Sequence, residues 1–229
     1  MESEERIREA VIKTQVLRPP KQSLSTFGST NVYYYLVAEA TYNELISGHE
    51  TVIREGRVVA ERPKIVTPYY LSRVQGFSPE ATKYFKMLMD NINPNSPGLF
   101  YAYRNEPKEM NLVSDKLEIV VDRLNSEIDK KGDPLASIIK GEDMLWDVSI
   151  LKFIYEITDR SLPFNVMQLQ QQGLLHMDAS GMPADARVRI EGLFELVQKG
   201  ELEPAVLKTE LDRWGVFEEY QDRFFRLFK

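Results

Sequence analysis

Asp143 and Asp147 are acids four residues apart, and their type and spacing could do chemistry. If one helix runs from about Glu142 to Asp159, their side chains are neighbours on its surface. On that wheel Asp147 falls between Ile154 and Thr158, inside an apolar arc. A carboxylate facing low dielectric beside another acid is where pKa values shift, and where general-base or metal-dependent chemistry is found. Acids in the first turns of a helix also complement its dipole and cap backbone N–H groups, and this ordinary role weighs more.

A second set is basic. Arg54, Arg57, Arg62, Lys64 and Arg73 run close together, with Tyr69 and Tyr70 interleaved. Arginine with aromatic neighbours can hold phosphate or stack on bases, so a phosphate, nucleotide or nucleic-acid ligand would be sought here. If Glu55-Gly56 is a two-residue turn, Arg54 and Arg57 face each other, and like charges there cost stability. A solvated hairpin tip, with Glu55 and Glu61 as counter-charges, is the plainer expectation.

A third set is aromatic: Trp214, Phe217, Tyr220, Phe224, Phe225 and Phe228 near the C-terminus. All but Phe225 keep one helical face, which favours core over an exposed partner surface.

Most other chemistry lacks its parts. There is no cysteine, so thiol catalysis, thiolate metal sites and disulfide scaffolds are excluded. The two histidines are His49 and His176, and the zinc-helix start at His49-Glu50 has Ile53 where a second histidine is required. No glycine-rich phosphate loop or nucleophile elbow occurs. No cofactor and no metal are expected.

The elements that must position these residues follow from period and punctuation. A short charged helix to about Lys13 stops before Pro19-Pro20. Val32–Tyr42 reads as a central strand, Thr51–Arg54 and Arg57–Val66 as a hairpin, and Leu99–Arg104 as another strand. Ser78-Pro79-Glu80 starts a helix that runs to about Asn91. From Ser114 the period becomes helical, with Leu117, Val120, Leu124 and Ile128 on one face and a stop at Gly132.

The helix over 142–159 carries two apolar stripes. One is Met144, Val148, Leu151 and Tyr155; the other is Trp146, Ile150, Phe153 and Ile157. A helix apolar over most of its girth is a central one. A short helix at 164–172, a loop to Pro183, a helix ending at Gly200 and one from Pro204, bending at Gly215, complete the chain. The stretch from Trp146 through Gly173-Leu174-Leu175 to Ile190 resembles a winged helix in outline. It lacks a separate second helix and is net acidic, so nucleic acid is not the expected partner.

Strands first and helices afterwards give an α+β protein. A small, mainly antiparallel sheet forms the N-terminal half, and a helical C-terminal half surrounds the central helix 142–159. The expected division is 1–112, mixed α/β with the hairpin, and 113–229, helical, with a single domain as the alternative. The net charge of −6 lies wholly after residue 140, where ten basic residues face sixteen acidic ones. No segment has the length of apolar sequence that a membrane span needs, and nothing at the start has the pattern of a signal peptide, so the expected setting is cytoplasmic. The expected function is a non-enzymatic interaction or regulatory module with a protein partner or a second copy of itself. The alternative is a phosphate- or nucleotide-binding protein or metal-dependent enzyme using the basic run and the Asp143/Asp147 pair.

Overall fold

Alternation along two strands builds the first part of the molecule. In β2 (Thr30–Glu39), Val32, Tyr34, Leu36 and Ala38 are buried, while Tyr33 and Glu39 are exposed and Tyr35 is half-buried. In β3 (Thr51–Ala60), Val52, Gly56, Val58 and Ala60 are buried while Glu55, Arg57 and Val59 are half-buried. Successive side chains of a strand point to opposite faces, so each strand has one sealed face and one that is only partly covered.

A computed structural model describes residues 2–40, 49–73 and 92–228. Contacts divide the chain into two compact units, Met1–Arg62 with Tyr101–Asn165, and Pro63–Phe100 with Val166–Lys229. A strand beyond residue 113 belongs to the first unit's sheet. The helix expected at 78–91 lies outside the described residues.

The first unit is a five-stranded sheet in the order β1 (Gln15–Arg18), β7 (Ala136–Lys140), β2, β3, β6 (Tyr103–Val113). Every neighbouring pair is antiparallel except β2 and β7. One face packs on the first part of α4 (Trp146–Gln171), through Ile150, Phe153, Ile154 and Ile157 against Val32, Tyr34, Leu36, Val58 and Ile139. The other packs on α3 (Leu117–Lys131), whose Leu117, Val120, Leu124 and Ile128 meet Val37, Ile53, Ala136 and Ile138. α3 ends where expected, at Gly132 with φ of 68°, a left-handed cap that glycine adopts without steric cost. The α+β class and the mainly antiparallel N-terminal sheet are therefore as the sequence predicts.

Three local expectations change. Glu55-Gly56 is no turn: β3 runs straight through it, paired with β2 from Thr51↔Glu39 to Ala60↔Thr30. Glycine is required there for packing, since a Cβ would strike the Tyr34 hydroxyl and lie 2.8 Å from the Glu106 carbonyl. β6 answers with a bulge: Glu55 pairs with Glu109 and Gly56 with Pro107, leaving Lys108 as the extra residue. The helices expected at 142–159 and 164–172 are one helix, α4, which starts at Trp146 and carries Pro163 inside it. That helix is also not apolar all round in its surroundings. The stripe that holds Leu151 and Tyr155 opens to solvent, with Leu151 66% and Tyr155 72% exposed. β1, β7 and the part of β6 beyond Arg104 are strands that the sequence does not announce.

α1 (Glu2–Lys13) is tied to α4 by polar contacts. Lys152 Nζ donates to the carbonyls of Val11 and Thr14, at 3.1 and 2.7 Å, which caps the C-terminal end of α1. The hydroxyls of Thr14 and Ser149 share a hydrogen bond of 2.7 Å.

The second unit pairs β4 (Lys64–Val66) with β5 (Gly98–Phe100) and adds α2 (Pro68–Ser72), α5 (Ala184–Gln198), α6 (Pro204–Trp214) and α7 (Phe217–Arg226). Its core joins Tyr70, Ile190, Phe194, Leu207, Leu211, Trp214 and Phe224. The expected C-terminal helix is broken at Gly215, φ 72°, into α6 and α7. Trp214 and Phe224 are core as expected, whereas Phe225 and Phe228 are exposed. Asp185, fully buried, pairs with Arg189 at 2.6 Å, and Glu210 accepts from Trp214 Nε1 at 3.1 Å and from the Tyr70 hydroxyl at 3.3 Å. Each buried carboxylate thus has donors, which is the condition for tolerating it in a core.

Candidate functional site

The two acids are not helical neighbours. Asp143 precedes α4, and both Nε and Nη2 of Arg54 donate to its Oδ1, at 3.2 and 2.7 Å. Arg54 also lies 5.4 Å from the Trp146 ring centroid. Asp147 is exposed, and its Oδ1 accepts from the Val148 N–H at 2.9 Å. One acid is thus spent on an arginine and the other on the first turn of the helix. Among the described residues, no group of three or more histidine, aspartate or glutamate side chains could hold a metal ion.

The basic run divides as well. Arg54 and Arg57, three residues apart in one strand, point to opposite faces of the sheet. Arg57 donates to Glu106 at 2.6 Å, and Arg62 stands 5.9 Å from the Phe27 ring centroid. Lys64, Tyr70 and Arg73 belong to the second unit. There Tyr70 is core, and Arg73 covers the Tyr69 ring at 4.3 Å while donating to the Asp212 carbonyl at 3.3 Å.

Among the described residues, two surfaces of the first unit stand out after these pairings. One is the stripe along α4: exposed Leu151 and Tyr155 with half-buried Val148, extended by Met144, 67% exposed, in the turn before the helix. It lies opposite the face that buries Ile150, Phe153 and Ile157. The end of α1 that Lys152 caps adds Ile12, 77% exposed.

The other is a crevice of about 460 Å³ on the α3 side of the sheet, beyond the part that α3 covers. Two cross-strand rows form its floor: Tyr35 and Glu55, the latter paired with Glu109 outside the crevice, then Tyr33, Arg57 and Glu106. Lys108, from the bulge, and Lys131, from the last turn of α3, stand at its rim. Burial first, and then the neighbouring Glu109, push the Glu55 carboxyl above the usual range, while Lys108 and Lys131 oppose that shift. The hydrogen bond from Arg57 leads in holding Glu106 below its usual value, and the Tyr35 hydroxyl beside Lys131 leads in raising the lysine. Only Arg57 of this crevice belongs to the residues singled out from the sequence. Tyr33, Tyr35, Glu55, Lys108 and Lys131 come from four elements, and no local motif marks them.

No protein-family model, no curated protein and no solved structure matches this chain. No described helix is long and apolar enough to cross a membrane.

Proposed function

We propose that this chain is a non-enzymatic interaction module that associates with a second copy of itself through the α4 stripe. The observation that carries the reading is the exposure of Leu151 and Tyr155 on one face of a helix whose other face is core, with Met144 exposed in the turn before it. Large apolar side chains grouped on a surface mark contact sites far more often than isolated ones do.

The spacing supports a second copy as the occupant. Met144, Val148, Leu151 and Tyr155 are separated by four, three and four residues, the same read in either direction. A two-fold axis across the stripe then sets Val148 against Leu151 of the second copy, and Met144 against Tyr155 of the second copy. That self-complementarity is what an isologous interface needs, and methionine against an aromatic ring is a favourable contact. The same reading places the chain in the cytoplasm, since a fold without cysteine needs no oxidising compartment.

Sedimentation equilibrium tests this. The wild type should show a concentration-dependent dimer, and Leu151→Lys with Tyr155→Lys should sediment as a monomer with its circular-dichroism spectrum retained. A wild type that stays monomeric at the highest reachable concentration, or a dimer indifferent to both substitutions, overturns the reading.

A further inference from the structure

The crevice on the α3 side of the sheet has no part in that association, and its charges are unevenly satisfied. Arg57 is paired with Glu106 at 2.6 Å, and Lys108 with Glu109 at 3.2 Å. Glu55 has no hydrogen-bond or ion-pair partner within 4 Å among the described residues, although it is half-buried and directly opposite a second carboxylate, Glu109. On its other side the directly opposed residue is Tyr35. The crevice therefore offers one unmatched carboxylate beside an aromatic ring.

What already lies next to that ring is an ammonium. Lys131 Nζ is 3.4 Å from the Tyr35 hydroxyl and 6.0 Å from the ring centroid, at the outer limit for a cation held by a ring face. It is tethered to the end of α3 and reaches the rim. An incoming anion would have to displace Glu106 from Arg57 or Glu109 from Lys108, and would meet Glu55 as a like charge. A cation breaks neither pair, and competes for Glu55 with the ammonium groups of Lys108, already paired with Glu109, and of Lys131.

We propose that the crevice binds a small organic cation, an alkylammonium or polyamine, with Glu55 as its counter-charge, Tyr35 as its aromatic wall and Lys131 as the tethered ammonium it displaces. The volume suits the chemistry, since 460 Å³ is in the range of ordinary small-molecule sites. Burial of Glu55 supports it too, because a carboxylate removed from water gains more from a neutralising cation than one on an open surface. The groups that face the carboxyl are Tyr35 on β2, Lys108 and Glu109 on β6, and Glu127 and Lys131 on α3.

The test is a backbone-amide NMR titration of the full chain at low salt with 1,4-diaminobutane, spermidine and, separately, inorganic phosphate. Saturable shifts confined to the neighbourhoods of Tyr35, Glu55, Glu109 and Lys131 are expected with the amines alone. Glu55→Gln should weaken amine binding about tenfold or more, the scale of losing a charge-assisted contact. Lys131→Met should tighten it, by removing the competing ammonium. The same spectra report whether each variant is folded, and Tyr35→Leu supplies a second weakening variant should Glu55→Gln perturb the sheet. The proposal is overturned if no amine gives a saturable shift, if amine shifts survive Glu55→Gln and Tyr35→Leu unchanged, or if phosphate saturates the same residues more tightly.

Discussion

The two faces of the five-stranded sheet are made by the same strands and behave differently. Toward α4 the strands present Val32, Tyr34, Leu36, Gly56, Val58 and Ala60, all buried, and the gap above Gly56 is filled by the Tyr34 ring. Toward α3 they present Val37 and Ile53 under the helix, Tyr35 packed at its margin, and then Tyr33, Glu55 and Arg57 in the open crevice. One residue of register separates an aliphatic core position from a charged, half-open one. The difference teaches that a period of two lets one strand carry packing and chemistry together, and that the length of the covering helix decides where packing stops.

Substitutions can break or sharpen this contrast. The largest loss should come from the sealed face. Phe153→Ala removes a fully buried ring between α4 and the sheet, and its unfolding free energy should fall by about 4 kcal/mol in urea titrations. A loss under about 1 kcal/mol would mean that α4 does not seal that face. Gly56→Ala comes next, at roughly 2 kcal/mol, because the new methyl must push back the Tyr34 ring and the Glu106 backbone.

On the open face the signs and sizes change. Glu55→Gln should stabilise the protein at neutral pH by about 0.5 kcal/mol, by relieving the cross-strand carboxylate pair with Glu109. The folded chain holds the Glu55 proton more tightly than the unfolded chain, so the wild type gains relative stability as pH falls through the raised pKa toward the ordinary glutamate range. The advantage of Glu55→Gln should therefore shrink on acidification, and an advantage that grew instead would contradict the raised pKa. Smallest of all, Tyr33→Ser should change stability by no more than about 0.5 kcal/mol, since Tyr33 is exposed at the crevice edge.

Much of the fold is legible in the sequence where period and punctuation agree. The tyrosine- and valine-rich β2, the single apolar face of α3 and its Gly132 stop are all visible there. β1 and β7 are not, because four and five residues between helical signals leave too little period to read. Glu55-Gly56 carries good local turn chemistry. What overrules it is distant, the Tyr34 ring that needs the space of a missing Cβ. The apolar stripes of α4 are legible, but which of them meets the sheet is a tertiary fact. The candidate sites divide the same way. Asp143, Asp147 and Arg54 stand out as residue types, and the structure shows them absorbed by one another or by a helix terminus. The crevice is assembled from β2, β3, β6 and α3, so its residues are neighbours in space only.

The bulge in β6 has one more consequence. At the outer margin of the sheet, Pro107 offers no N–H, Lys108 interrupts the ladder, and Arg104, Glu106 and Glu109 surround them with charge. A bare strand margin is a template onto which other chains can stack, and proline, irregularity and charge are the devices that spoil it. Such a margin should leave concentrated solutions of this protein slow to form ribbons or fibrils.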